Sequence, residues 1–211
     1  MYYLSKNKEN GFTLVELLIA MTIGLIILVA LSSTFLMQRK TYDVQEQIVE
    51  MVQTARGAID MMTREIRMAG YDPAGAMQRS DPTGAKFVGI PYDANKLQIY
   101  ADLNGDEDTN DSHEYIKYTI DSDYPFEIRR DTGGGRQEFA LNIQSFTFVC
   151  LKADGVTEVT TTTDNNKIRQ IKITITARTS KADSDYTDPT YGDHYRRYTL
   201  TSVITPRNLG L

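Results

Sequence analysis

The chain contains little of the material from which catalytic and redox sites are built. Of its 211 residues, one is cysteine, two are histidine and none is tryptophan. A single cysteine excludes an intramolecular disulfide and a cysteine-rich zinc site, and His113 and His194 are too few for a histidine metal cluster. The sequence has no G-x-S-x-G, no H-E-x-x-H and no phosphate-binding glycine loop. We therefore expect no enzymatic activity.

The chain also lacks an excess of basic residues over acidic ones. Lys and Arg together number 23 against 28 for Asp and Glu, which gives a net charge of −5. Without a basic excess to neutralise phosphates, we expect no nucleic-acid partner. The length is sufficient for one domain with a buried core, or for such a domain with an appendage.

The longest apolar stretch runs from Phe12 to Met37 and contains one charged residue, Glu16. As a helix with a rise of about 1.5 Å per residue it would reach about 39 Å, more than the hydrocarbon core of about 30 Å. A carboxylate within such a helix costs about 2.5–3.5 kcal/mol on insertion scales. Glu16 therefore either lies near the membrane interface or has a cationic partner. Cleavage after Gly11 would supply one, the new α-amine of Phe12.

The segment Lys8 to Ala20, K-x-x-G-F-T-L-V-E-L-L-I-A, resembles the cleavage and methylation motif of type IV prepilins and type II secretion pseudopilins. The resemblance implies a leader, residues 1–11, that a prepilin peptidase removes after Gly11 at the cytoplasmic face of the membrane. The same enzyme class then N-methylates Phe12. It also implies that Glu16 pairs with the N-terminal amine of an adjacent subunit during assembly, an interaction that a low dielectric strengthens.

Beyond the apolar run, the spacing of apolar residues predicts that the helix continues. Gly70 comes just after the last of them, where a helix end favours a left-handed residue, and Pro73 prevents the helix from resuming. We predict one helix with a membrane-spanning or filament-core part at 12–37 and an amphipathic continuation at 38–70. The apolar positions recur every three or four residues: Val44, Ile48, Val52, Ala55, Ile59, Met62, Ile66 and Ala69.

From about Lys96 onward the period changes to two, which is typical of half-buried strands. Residues 71–211 are therefore predicted to form a β-rich head, an antiparallel sheet system with the long helix packed on it, which makes the fold class α+β. Turn residues separate the strands at Gly133–Gly135, Asp154-Gly155 and Asp164–Asn166. The predicted strands are Leu97–Tyr100, Tyr115–Ile120, Phe126–Arg130, Glu138–Leu141, Ile143–Leu151, Arg169–Arg178 and Tyr198–Thr205.

Three further stretches resemble PilW-type minor pilins. They are the helix-ending run Arg64–Tyr71, the acidic loop Asp102–Glu114 and the final Pro206–Asn208. The related J-type pseudopilins of type II secretion systems share part of this pattern. Unlike many major pilins, the chain has no proline within the apolar helix and no pair of cysteines to close a C-terminal loop. Both departures suit a minor subunit.

The acidic loop is a candidate calcium site. It contains six carboxylates and no lysine or arginine, and its opening resembles the D-x-N-x-D start of calcium loops. Glu107, however, stands where such loops have glycine, and strands flank the loop instead of helices. The loop is therefore either a structural calcium site or a solvated acidic hairpin loop. The candidate ligands are Asp102, Asn104, Asp106, Asp108, Asn110 and Glu114.

Other distinctive residues favour structural roles. A second acidic stretch, within Lys181–Tyr195, is predicted to be a surface loop, with His194 at the solvated surface. Cys150 ends an apolar strand and is predicted to be a buried free thiol. Four tyrosines either line a contact for a partner subunit or cover a sheet edge: Tyr186, Tyr191, Tyr195 and Tyr198.

Together these features predict a minor pilin of a type IV pilus, acting in assembly or initiation and placed near the tip. The resemblance implies other major and minor pilins, the prepilin peptidase and an inner-membrane assembly platform as partners. It also implies a single-pass inner-membrane protein with a periplasmic head, later transferred to the pilus at the cell surface, where adhesion or motility follows. The alternatives are a J-type pseudopilin of a type II secretion system and an uncut, membrane-anchored calcium-dependent binding module.

Overall fold

The computed structural model describes residues 11–75, 87–121, 123 and 126–209. Apart from Gly11, the predicted leader lies outside the described residues. One long helix, α1, spans Leu14–Met68, and the predicted limits, residues 12 and 70, differ from these by two residues each. The chain divides into two compact units, Met1–Glu46 and Gln47–Leu211, and α1 contributes residues to both.

The seven predicted strands are all present, each end within one residue of its predicted position. All strand pairs are antiparallel, in one sheet with the order β1-β2-β3-β4 and a second with the order β5-β6-β7. The α+β fold class predicted from the sequence is confirmed. The strands are β1 Leu97–Tyr100, β2 Tyr115–Asp121, β3 Glu127–Asp131, β4 Gln137–Ala140, β5 Ile143–Leu151, β6 Gln170–Arg178 and β7 Arg197–Ile204.

Alternation along β6 shows why these strands were recognisable. Ile171, Ile173 and Ile175 are each 0% exposed, whereas the intervening Lys172 is exposed and pairs with β7 through Val203. Successive strand side chains point to opposite faces of a sheet, so one face of β6 enters the core and the other does not. A 3₁₀ helix over Thr162–Lys167 precedes β6.

Within the second unit, α1 packs its apolar face on this core. Met51, Ala55, Met62 and Ile66 are buried and belong to the same cluster as the isoleucines of β6. Their spacings of four and seven residues place them on one side of a helix with 3.6 residues per turn. The amphipathic continuation predicted for this part of the helix is therefore used for packing.

A buried polar network also attaches α1 to the first sheet. Glu65, only 5% exposed, accepts hydrogen bonds from Arg130 Nη2 at 2.6 Å and from Arg130 Nε at 3.1 Å. It also accepts one from the hydroxyl of Tyr118, which is 0% exposed. Burial, reinforced by the neighbouring Glu65 charge, raises the pKa of Tyr118, so the phenol remains a donor. Sequence patterns did not predict this network.

The C-terminal end of α1 is the meeting point of several segments. Gly70 has a φ of +74°, the left-handed conformation predicted for it, and its N–H donates to the Tyr100 carbonyl of β1 at 2.8 Å. Asn208 Nδ2 donates to the carbonyls of Met68 and Ala69, each at 3.4 Å. The two bonds from Asn208 satisfy carbonyls that a helix end leaves without partners.

Gly89 lies so close to this helix end that no side chain fits there. A Cβ at position 89 would lie 2.3 Å from the backbone nitrogen of Gly70 and 2.6 Å from its Cα. The N–H of Tyr100 donates to the Gly89 carbonyl at 2.8 Å, which holds the segment in place. Glycine is required here for close approach of two backbones.

Candidate functional site

The start of α1 is a capping arrangement built from Thr13 and Glu16. The Glu16 carboxylate accepts hydrogen bonds from the Thr13 N–H at 2.8 Å and from its hydroxyl at 2.9 Å. In return the Glu16 N–H donates to Thr13 Oγ1 at 3.2 Å. This reciprocal pattern is a capping box, which the T-x-x-E spacing before an apolar run signals and which we did not predict. Gly11 precedes it, and Phe12 is 91% exposed.

The helix that follows has no apolar partner among the described residues of its own unit. Every side chain from residue 11 to residue 43 is exposed, including Leu25 at 60% and Phe35 at 64%. The helix is long and apolar enough to cross a membrane by length and composition. An exposed apolar surface of this length requires another apolar environment, either lipid or other apolar helices.

The acidic loop connects β1 to β2, and its first carboxylate is used by the backbone of the loop. Asp102 is 0% exposed and accepts hydrogen bonds from the N–H groups of Gly105 at 2.6 Å and Glu107 at 3.1 Å. Its own N–H donates to the Tyr71 carbonyl beyond the end of α1, at 2.8 Å. Asp102 therefore shapes the loop and fastens it near the helix end.

Three of the candidate ligands converge. One carboxylate oxygen from each of Asp106, Asp108 and Glu114 lies within 4.8 Å of the other two. Asp106 and Asp108 are exposed, whereas Glu114 is 2% exposed. Glu114 Oε1 accepts from the N–H groups of Leu103 at 2.7 Å and Asn104 at 3.2 Å, but its buried Oε2 has no hydrogen-bond partner among the described residues.

The two candidate asparagines are placed differently. Asn104 Nδ2 donates to the carboxylates of Asp106 at 3.0 Å and Asp111 at 2.9 Å, so its amide nitrogen faces the acidic groups. The Asn110 N–H donates to Asp108 Oδ1 at 2.8 Å. Glu107 has a φ of +75°, the left-handed conformation for which glycine is the usual residue.

The second acidic stretch is ordered by arginines from the start of β7. Arg196 pairs with Asp183 at 2.8 Å, and Arg197 pairs with Asp188 at 3.0 Å and Asp193 at 2.6 Å. The Arg197 side chain is only 8% exposed. The hydrogen bond from Arg197 lowers the pKa of Asp193 to about 2. Sequence reasoning did not find these pairs, because which carboxylates the two arginines meet depends on how the loop folds back on them.

Arginines also cover the tyrosine rings of this loop. The guanidinium carbons of Arg196 and Arg197 lie 4.4 Å and 3.9 Å from the ring centroids of Tyr186 and Tyr191. Arg178 lies 4.4 Å from the ring of Tyr195. These rings therefore contribute to holding the loop through cation–π contacts. His194 is exposed, as predicted.

Cys150 is a free thiol and 2% exposed, which confirms the sequence prediction. Burial raises the pKa of this thiol to about 11, so it is protonated at neutral pH. A thiol in this state packs as a small apolar side chain.

Comparison with known proteins supports the N-terminal interpretation. Residues 6–32 match the family model of the prokaryotic N-terminal methylation motif. No curated protein sequence matches the chain. Among solved structures, a type IV-like pilin from Thermus thermophilus aligns with 75% of this chain and 98% of its own, with 11% identity and a TM-score of 0.44. The N-terminal interpretation rests on the motif and not on that structural likeness.

The chain therefore has a prepilin-type N-terminal motif that leads into an exposed apolar helix. The match agrees with the prepilin-type cleavage and methylation motif predicted from the sequence. Proteins with this motif are substrates of a prepilin peptidase and assemble with other pilins.

Proposed function

We propose that this protein is a PilW-like minor pilin that acts in the assembly or initiation of a type IV pilus, near its tip. The observation that carries the proposal is the methylation motif at residues 6–32, which leads into an apolar helix that is exposed from residue 14 to residue 37. A helix of this kind serves first as a membrane anchor and then as an apolar contact among subunits. The chain acts as a structural subunit and not as an enzyme.

Processing would create the charge that Glu16 requires. Cleavage after Gly11 gives Phe12 an α-amine, and N-methylation leaves that amine cationic. In the uncut chain the Glu16 carboxylate is satisfied by Thr13 at 2.8 and 2.9 Å. The capping box therefore protects the carboxylate until the amine of a neighbouring subunit replaces or joins Thr13 during assembly.

A minor position agrees with the composition of the chain. The apolar helix has no proline, and Cys150 has no second cysteine with which to close a C-terminal loop. The partners are other major and minor pilins and an inner-membrane assembly platform. Before assembly the head lies on the periplasmic side of the inner membrane, and afterwards it is part of the pilus at the cell surface.

Mass spectrometry of the N-terminal peptide, in sheared surface fibres and in membranes separately, tests this proposal. N-methylated Phe12 in the sheared fraction is the expected result. The same modified residue confined to the envelope would favour a J-type pseudopilin of a type II secretion system. An intact leader in both fractions would refute processing and with it the pilin role.

Replacement of Glu16 tests its role in assembly. We expect Glu16→Ala to be cleaved normally but to be reduced at least about tenfold in sheared fibres, because an amine without its carboxylate is costly in an apolar environment. Glu50→Ala, an exposed glutamate later on the same helix, is the matched control and should be incorporated normally. Immunoblots of membranes and fibres measure both, and normal incorporation of the Glu16 variant would rule out the pairing.

A further inference from the structure

We propose that the loop from Asp102 to Glu114 binds one calcium ion through the carboxylates of Asp106, Asp108 and Glu114. The proposal rests on side-chain positions within the second unit and does not depend on whether the protein serves a pilus or a secretion system.

The arrangement of Glu114 is the central observation. A carboxylate that is 2% exposed ordinarily has partners for both oxygens, because an unpaired buried oxygen is costly. Oε1 accepts two backbone hydrogen bonds, whereas Oε2 is buried without any among the described residues. A carboxylate oxygen of Glu114 also lies within 4.8 Å of oxygens of Asp106 and Asp108. A bound cation would satisfy Oε2.

Charge leads to the same conclusion. Three carboxylates whose oxygens lie within 4.8 Å of one another repel unless a cation or a proton intervenes. The loop itself contains no lysine or arginine. Among the salt bridges of the described residues, none involves a carboxylate of the loop. Nothing in the described part of the chain therefore neutralises this cluster.

The donor set selects the ion. Oxygen ligands alone favour a hard cation over Zn²⁺, which prefers nitrogen and sulfur. Ca²⁺ binds oxygens at about 2.3–2.6 Å, so two of its ligands can stand up to about 5.2 Å apart, whereas the limit for Mg²⁺ is about 4.2 Å. The three oxygens lie within 4.8 Å of one another, which is within the range that calcium ligands span.

The ion would stabilise the junction between the loop and the helix end. Glu114 holds the other end of the loop, since its carboxylate accepts from Leu103 and Asn104 and its carbonyl accepts from the Ala101 N–H at 3.0 Å. The Asp102 N–H donates a hydrogen bond to the Tyr71 carbonyl, just beyond the end of α1. Calcium on Glu114 therefore restrains the segment that joins β1, β2 and the end of α1.

The test is calorimetric titration of the full-length chain in non-ionic detergent, after removal of metals with EGTA. We expect one Ca²⁺ per chain, with a dissociation constant at or below about 1 mM, the weak end of extracellular calcium modules. Asp108→Asn, an exposed substitution that leaves folding intact, should weaken binding at least tenfold. Glu107→Gln removes the same charge from the same loop outside the cluster, and should change the affinity by less than about twofold.

Three outcomes would overturn the proposal. The first is no binding heat and no rise in the unfolding midpoint at about 10 mM Ca²⁺, with circular dichroism showing a folded chain. The second is an equal loss of affinity in Asp108→Asn and Glu107→Gln, which would mean diffuse attraction to an acidic loop. The third is equal affinity for Mg²⁺, which would contradict the assignment to calcium.

Discussion

The two parts of α1 belong to one helix but have opposite surroundings. Residues 14–37 are exposed and, apart from Glu16, largely apolar on all sides, whereas the part from Met51 to Ile66 is amphipathic and buries one face in the core of its own unit. Helix formation is therefore common to both, and among the described residues it is the second part that obtains stability from packing within the chain. The described residues supply no apolar environment for the first part, which is the property expected of a membrane anchor or a filament core.

Removal of Glu65 should have the largest effect on stability. Glu65→Ala leaves the Arg130 guanidinium, 17% exposed, without its carboxylate, and we expect a loss of about 3–5 kcal/mol in the free energy of unfolding. Chemical denaturation of the full-length chain in non-ionic detergent measures it. Asp60→Ala, an exposed carboxylate on the same helix, should lie within about 0.5 kcal/mol of the original. A loss below about 1 kcal/mol for Glu65→Ala would show that the network does not anchor the helix.

Two alanine replacements, one in each part of α1, test the comparison between the two parts directly. Met62→Ala removes a side chain that is 0% exposed and should cost about 2–5 kcal/mol of unfolding free energy. Leu25→Ala, at a position 60% exposed, should leave the unfolding of the second unit within about 0.5 kcal/mol. Hydrogen exchange of β6 amides, followed in both variants, reports on the second unit alone. Similar losses in the two variants would mean that both parts of the helix stabilise the same core.

The close approach at the helix end gives a third test. Gly89→Ala would place a Cβ 2.3 Å from the Gly70 nitrogen, and we expect about 1–3 kcal/mol of destabilisation as the backbone shifts. Gly134→Ala is the control, because a Cβ there has no neighbour within 4 Å. Thermal unfolding of both variants measures the difference. If both behave alike, the contact between Gly89 and Gly70 does not limit the fold.

The smallest effect concerns a loop remote in sequence from the helix. Because Arg197 lowers the pKa of Asp193 to about 2 from an ordinary value of 3.8, the folded state favours the charged carboxylate. The resulting stabilisation is complete above about pH 4 and is lost as the pH falls toward about 2. Asp193→Asn should flatten this dependence of the unfolding midpoint, whereas Asp60→Asn should leave it steep. An unchanged pH profile in Asp193→Asn would contradict the pairing.

Local patterns predicted much of this fold. The strands β1 and β5 have the limits predicted from alternation, and Gly70 is left-handed as its place after the last apolar residue indicated. These features depend on neighbours within a few residues, which the sequence displays directly. The T-x-x-E spacing also indicates the capping box of Thr13 and Glu16, although we did not predict it.

By itself, the sequence determined the N-terminal motif, the helix, the strand positions and the acidic character of the loop. The tertiary structure alone decided that Glu65 meets Tyr118 and Arg130, which lie 53 and 65 residues away along the chain. It also decided which acidic side chains of the loop converge, and that Glu114 is the buried one. The physical reason is that periodicity is a property of neighbouring residues, whereas burial and pairing depend on which distant segments the fold brings together.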